Sequence, residues 1–177
     1  APYTALGTFR GMQASAMKSW GTRDLKDKVV GIQGVGSVGI ELSRLLTEVG
    51  ARIIFTDINE ENIRRMKEQC PSAEFIDPNL IYEANMDIYA PCALGATIND
   101  ETIPQLKCKI INGAANNQLS EDKHGKIIQQ SAFIFNRGIS NGPYKIWGHV
   151  IGDLVYNGGS NLEIYEDYII CNFSVDS

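Results

Sequence analysis

The chain has 177 residues, 44% of them hydrophobic, with a formal net charge of −5; one domain with a real core fits that length, and two do not fit it well. No long basic run offers itself to a phosphate backbone, which argues against a nucleic-acid partner. No apolar stretch is long enough to read as a membrane-spanning helix, which argues against a membrane.

Tyr3 to Trp20 predicts an amphipathic helix. Leu6, Phe9, Met12, Ala16 and Met17 recur at three- and four-residue spacing, and Gly21 ends it. In a fragment that apolar face stands to be exposed. A polar connection, Asp24 to Asp27, leads to a strand from Lys28 into Gly34. The next helix uses Ile40, Leu42, Leu45, Leu46 and Val49 and stops at Gly50. Arg52 to Thr56 is a second strand ending on Asp57. Asn59 to Glu68 is a helix with Asn59 as its cap. Ala73 to Ile76 reads as a short strand, Pro78 to Ala84 as a helical turn, and Met86 to Ala90 as a strand broken at Pro91. A short helix lies within Ile98 to Leu106, capped by Asn99 or Asp100. Lys109 to Ile111 and Ser131 to Phe135 are further strands. This alternation predicts an α/β fold of the Rossmann type: doubly wound, with a mostly parallel sheet, helices on both faces and ligand-facing turns at one edge. From Asn136 to Asn161 glycines and polar residues follow no clean period, and Leu162 to Phe173 is apolar and acidic in turn, so no element is assigned there.

The chemistry concentrates at Gly34-Val35-Gly36-Ser37-Val38-Gly39. A glycine-rich turn alone is common, and a packing turn would explain it. Here a strand precedes it, a helix follows, and a second strand delivers an acid 18 residues after Gly39, as docking of a dinucleotide requires. Gly34 permits the tight turn, Gly36 lets the main chain approach a pyrophosphate, and Gly39 lets helix and sheet pack closely. Unpaired N–H groups at the helix start favour the negative charge. The Asp57 carboxylate is suited to the two ribose hydroxyls of an adenosine, at about 1.5–3 kcal/mol for each charged hydrogen bond. It would repel a 2′-phosphate, and Ile58 and Asn59, not Arg, follow it; NAD is expected over NADP.

The four cysteines, Cys70, Cys92, Cys108 and Cys171, form no C-x-x-C pair and lie far in sequence from His124 and His149. Zinc-site spacing is absent, so no metal is expected, and buried thiols in a reducing cytoplasm are the simplest account. Nothing near Cys92 resembles a base for it. The start, Ala1-Pro2-Tyr3, lacks both a Met and the order of a secretion signal, which reads as a fragment or processed chain.

Several blocks resemble the cofactor domain of the Glu/Leu/Phe/Val dehydrogenases, with the leucine dehydrogenase branch nearest and the phenylalanine, valine and tryptophan branches close by. They are Pro2 to Met12, Val30 to Gly39, Thr56 to Asn59, Asp87-Ile-Tyr-Ala-Pro-Cys-Ala-Leu-Gly95 with Ile98 to Asp100, Thr102 to Leu106, Gly113-Ala-Ala-Asn-Asn-Gln-Leu119, and His124-Gly125. The resemblance covers residues 1–135 as an NAD-binding domain and leaves 136–177 as a divergent tail. It implies oxidative deamination of an L-amino acid, branched-chain or otherwise apolar, to a 2-oxo acid and ammonia, in a protein whose full length forms a homo-oligomer. It implies a cofactor site of Gly34, Val35, Gly36, Ser37, Val38 and Gly39 at the pyrophosphate and Asp57 with Ile58 at the adenosine ribose. Cys92, Ala93 and Leu94 would stand beside the nicotinamide-side ribose, Thr4 at the nicotinamide amide, and Ala115 and Asn117 near the nicotinamide and substrate. Read from residues alone, Asn116-Asn117 is also a plausible turn pair. The family's glycine-rich stretch with its catalytic lysine has no counterpart here, since Lys18, Lys26 and Lys28 do not match it; no catalytic residue is expected in this chain, and the substrate domain is expected outside it. The family's loop after its last strand finds at most an echo in Ile139 to Gly142. The alternative is a truncated or divergent homologue that binds NAD or another adenine nucleotide without catalysis.

Overall fold

The structure is a computed structural model that describes residues 1–93, 95–115 and 118–121 and the strands 133–138, 144–148, 162–165 and 168–173. Its elements run α1 (Pro2–Trp20), β1 (Val29–Gln33), α2 (Ser37–Glu48), β2 (Arg52–Thr56), α3 (Glu60–Gln69), β3 (Glu74–Phe75), β4 (Ile88–Pro91), β5 (Ile110–Asn112), β6 (Phe133–Gly138), β7 (Tyr144–Gly148), β8 (Leu162–Tyr165) and β9 (Tyr168–Phe173). One sheet takes the order β3-β2-β1-β4-β5-β6-β7-β9-β8. Every pairing from β3 to β6 is parallel. Beyond β6 the pairings turn antiparallel, so the residues from Asn136 onward, where no period is legible, contribute three strands.

Alternation along the parallel strands sends side chains to two cores. Val30, Ile32, Ile53, Phe55, Ile88, Ala90 and Ile110 face α1, α2 and α3. Val29, Ile54, Tyr89 and Ile111 face the other way. There the cover is two 3-10 turns, Ile81–Glu83 and Ile103–Gln105, with their flanking loops. Gly31 lies on this second face, where an added Cβ would stand 2.3 Å from the Met86 sulfur. The strand is bare there because a neighbour fills the space.

The buried stripe of α1 is Ala5, Thr8, Phe9, Met12, Ser15 and Ala16, whereas Leu6 is 42% exposed. At 100° per residue, Leu6 falls beside that stripe, and small or hydroxyl residues complete it. Thr8 and Ser15 satisfy their hydroxyls on the Thr4 and Gly11 carbonyls, at 2.9 and 2.8 Å, so they can be buried without cost in unpaired groups. The stripe is not left bare: α1 packs across α2, β5 and β6. At its end Lys28 lies 4.0 Å over the Trp20 ring. No helix among the described residues is long and apolar enough to cross a membrane.

Candidate functional site

Connectivity makes the site. From β1 the chain moves outward to β2 and β3, then returns past β1 to β4 and β5. Sheet order reverses at β1, and the carboxyl ends of β1 and β4 there bound the place where open α/β sheets take ligands.

Three glycines of the turn do different jobs. Gly34 has φ +94°, and an added Cβ would lie 2.6 Å from the Ala93 main-chain nitrogen. At Gly39 a Cβ would lie 2.2 Å from the Gly34 carbonyl oxygen. Both positions are closed by the protein itself. Gly36 is the opposite case: nothing stands within 4 Å of where its Cβ would be, and its φ of −67° is open to any residue. The fold does not require glycine there.

Gly36 is also the N-cap of α2. It offers no side-chain cap, and no acid stands in the first turn. The Ile40 N–H reaches back to the Gly36 carbonyl at 3.0 Å; the N–H groups before it have no helical acceptor. Val35 and Val38 send their side chains into the core, so their offer to a ligand is main chain. Ser37 is exposed.

Asp57, at the end of β2, accepts the Val35 N–H at Oδ2 (2.8 Å), the Asn62 amide at the same oxygen (3.2 Å) and the Asn59 N–H at Oδ1 (2.9 Å). A carboxylate has about four lone-pair sites, so roughly one, on Oδ1, remains. The acid therefore holds the glycine turn as well as standing beside it. Asn62 was not legible as a partner; its place in the first turn of α3, five residues after Asp57, was the available signal. Ile58 is 89% exposed at this edge.

On the far side of β1, Cys92 donates its N–H to the Gln33 carbonyl (2.7 Å), and exposed Ala93 meets Gly34. Burial pushes the Cys92 thiol up to about 11; it is no nucleophile at neutral pH. Ala96, further along, adopts φ +62°, which costs a residue with a Cβ about 1–2 kcal/mol. At the next strand end an added Cβ at Gly113 would lie 2.1 Å from the Pro91 carbonyl oxygen, and the Ala115 N–H donates to that oxygen at 2.9 Å. β1, β4 and β5 thus end in one closely packed ledge, which brings the glycine turn, Asp57, Cys92, Ala93 and Ala115 to one edge. Thr4 lies in the first turn of α1, half-buried. Leu94 and Asn117 lie outside the described residues.

Polar side chains cluster just beneath the ledge, on the second face. The Gln33 side-chain amide donates to Tyr82 (2.8 Å), and buried Tyr89 donates to the side-chain Oε1 of Gln33. The Tyr89 and Thr97 hydroxyls are 3.3 Å apart. Sequence reasoning missed this group; the one polar side chain in Val29–Gln33 was its signal.

With that geometry in place, the relatives are informative. The leucine dehydrogenase of Bacillus cereus is 52% identical over 134 residues, which cover 76% of this chain and 36% of that protein. The valine dehydrogenase of Streptomyces albus is 39% identical over 166 residues, 93% of this chain and 42% of that protein; its match runs into the residues beyond 135. Among solved structures, L-tryptophan dehydrogenase from Nostoc punctiforme superposes with a TM-score of 0.73 at 35% identity, over 76% of this chain and 41% of that one. The chain therefore spans well under half the length of the relatives it matches. No family model matches it.

Proposed function

We propose, from the likeness of three quarters of its length to amino-acid dehydrogenases, that this chain is the NAD-binding part of an enzyme that oxidatively deaminates an apolar L-amino acid. The products are a 2-oxo acid and ammonia, and the dinucleotide supplies the hydride acceptor. The observation that carries the reading is the bare main chain of Gly36, with nothing packed where a Cβ would stand, beside an uncapped helix start. Bare main chain there suits a pyrophosphate, whose charge α2 would favour by about 0.3–1 kcal/mol.

Around that point the other groups take their roles. Ser37 and Val38 offer main-chain N–H groups to the phosphates, while Val35 spends its own on Asp57 and so sets the turn. Asp57 takes a ribose hydroxyl on the free side of Oδ1; a second hydroxyl displaces the longer Asn62 bond. A 2′-phosphate has no place beside that carboxylate, which favours NAD over NADP. Cys92, Ala93, Leu94, Ala115, Asn117 and Thr4 serve the nicotinamide half. The groups that activate water and substrate belong to a part of the enzyme outside this chain, and the full-length protein is a homo-oligomer. The buried, free Cys70 and Cys108 fit a reducing cytoplasm.

Calorimetric titration of the chain with NAD and NADP tests this. NAD binds in preference to NADP, and Gly36→Val abolishes binding of both while melting near the parent temperature. Equal binding by Gly36→Val and the parent sinks the reading.

A further inference from the structure

We propose that Gln33, Tyr89 and Thr97 form a positioning relay that sets the turn after β4 for the nicotinamide half of the cofactor; this rests on the dinucleotide reading above. Gln33 is the last residue of β1, one place before Gly34. Its side-chain amide is held at both ends, by Tyr82 and by Tyr89. Tyr89 lies within β4, wholly buried, and its hydroxyl meets Thr97 on the far side of the turn. The network therefore joins the base of the glycine turn to Thr97.

Thr97 is held from a second direction too. The Thr102 hydroxyl donates to the Thr97 carbonyl at 2.6 Å, and the Asn99 N–H donates to the Thr102 hydroxyl at 3.0 Å. Ala96, next to this doubly held residue, lies in the left-handed region, a conformation that persists where the surroundings determine it. All of this lies on the β4 side of β1. The adenosine end, with Asp57, lies on the β2 side and shares none of these bonds. The far members of the relay, Tyr89 and Thr97, can thus be changed while Gln33 keeps its Tyr82 bond beneath the glycine turn.

The experiment compares ADP with NAD as ligands for the parent, Tyr89→Phe, Thr97→Val and Thr97→Ser by calorimetry. For Tyr89→Phe and Thr97→Val the dissociation constant for NAD rises about five- to tenfold, while that for ADP stays within about twofold. Thr97→Ser, which keeps the hydroxyl, restores NAD binding. Thr97→Val keeps the test open should Tyr89→Phe fail to fold. A parent that binds both ligands, with an NAD-to-ADP ratio unchanged in the variants, overturns the relay alone. Equal weakening toward both ligands also overturns it, as that is general loosening. A parent that binds neither nucleotide overturns the cofactor reading itself.

Discussion

α2 and α3 follow successive strands, lie on the same face of the sheet, and begin differently. α3 is closed by its own sequence. The Asn59 side chain accepts the N–H groups of Glu61 and Asn62, and Glu60 and Glu61 bring negative charge to the first turn. α2 begins on Gly36 with neither cap nor acid. Both starts carry N–H groups without a helical acceptor and the same positive end of a dipole. One protein thus completes one helix internally and leaves the start of the other without a cap of its own. On the proposed function, the difference separates groups that hold the fold from groups that would meet the dinucleotide.

The contrast can be broken most severely at Gly39. Gly39→Ala forces a Cβ onto the Gly34 carbonyl and is expected to cost about 3 kcal/mol or more, read as a large drop in melting temperature. Gly36→Ala, three residues earlier, leaves stability nearly unchanged. If Gly36→Ala destabilises as much as Gly39→Ala, the open position is a structural one after all. Asp57→Ala comes next. It removes the ribose acceptor and frees the Val35 N–H, so NAD binding weakens roughly tenfold to a hundredfold, discrimination against NADP relaxes, and stability falls as well. Unaltered NAD affinity would show that this carboxylate serves the turn only.

Asn59→Ala sharpens the comparison from the α3 side. Loss of the cap lowers stability by about 1 kcal/mol, and NAD affinity stays within about twofold, as measured by denaturation and titration of the same samples. The smallest effect concerns Cys92. Its thiol is held near 11 by burial, against about 8.5 for a free one. The reactive thiolate is depleted below that value and grows as pH rises. At pH 8, alkylation of Cys92 should run on the order of a hundredfold slower than that of an unhindered thiol. Rapid alkylation at that pH would mean that the turn after β4 opens.

Local chemistry was legible in the sequence. Asn59 caps α3 because its side chain needs only neighbours two and three residues away, and Gly21 ends α1 for a similarly local reason. The glycine turn and Asp57 were legible as a group. What could not be read was the division of labour within the turn: Gly34 and Gly39 are closed by atoms brought from Ala93 and from the turn itself, while Gly36 is open, and only the packed arrangement distinguishes them. Leu6 misled because spacing alone does not say which side of a helix meets the sheet. The polar relay was hidden for a related reason. Gln33, Tyr82, Tyr89 and Thr97 are scattered over 65 residues and meet only because β1 and β4 are neighbours. β7 went unread because it is a short run inside a stretch rich in glycine and polar residues, and β8 and β9 because the apolar and acidic residues of Leu162 to Phe173 gave no boundary between them.

The way α1 is seated bears on how the chain is made. α1 is complete at Trp20, yet part of the floor beneath it, β5, ends only at Asn112. At about 5–20 residues per second on the ribosome, Phe9 and Met12 wait roughly five to twenty seconds for that cover, with α2 as their earlier shelter. Over that interval the first helix is a natural handhold for chaperones that grip nascent apolar segments.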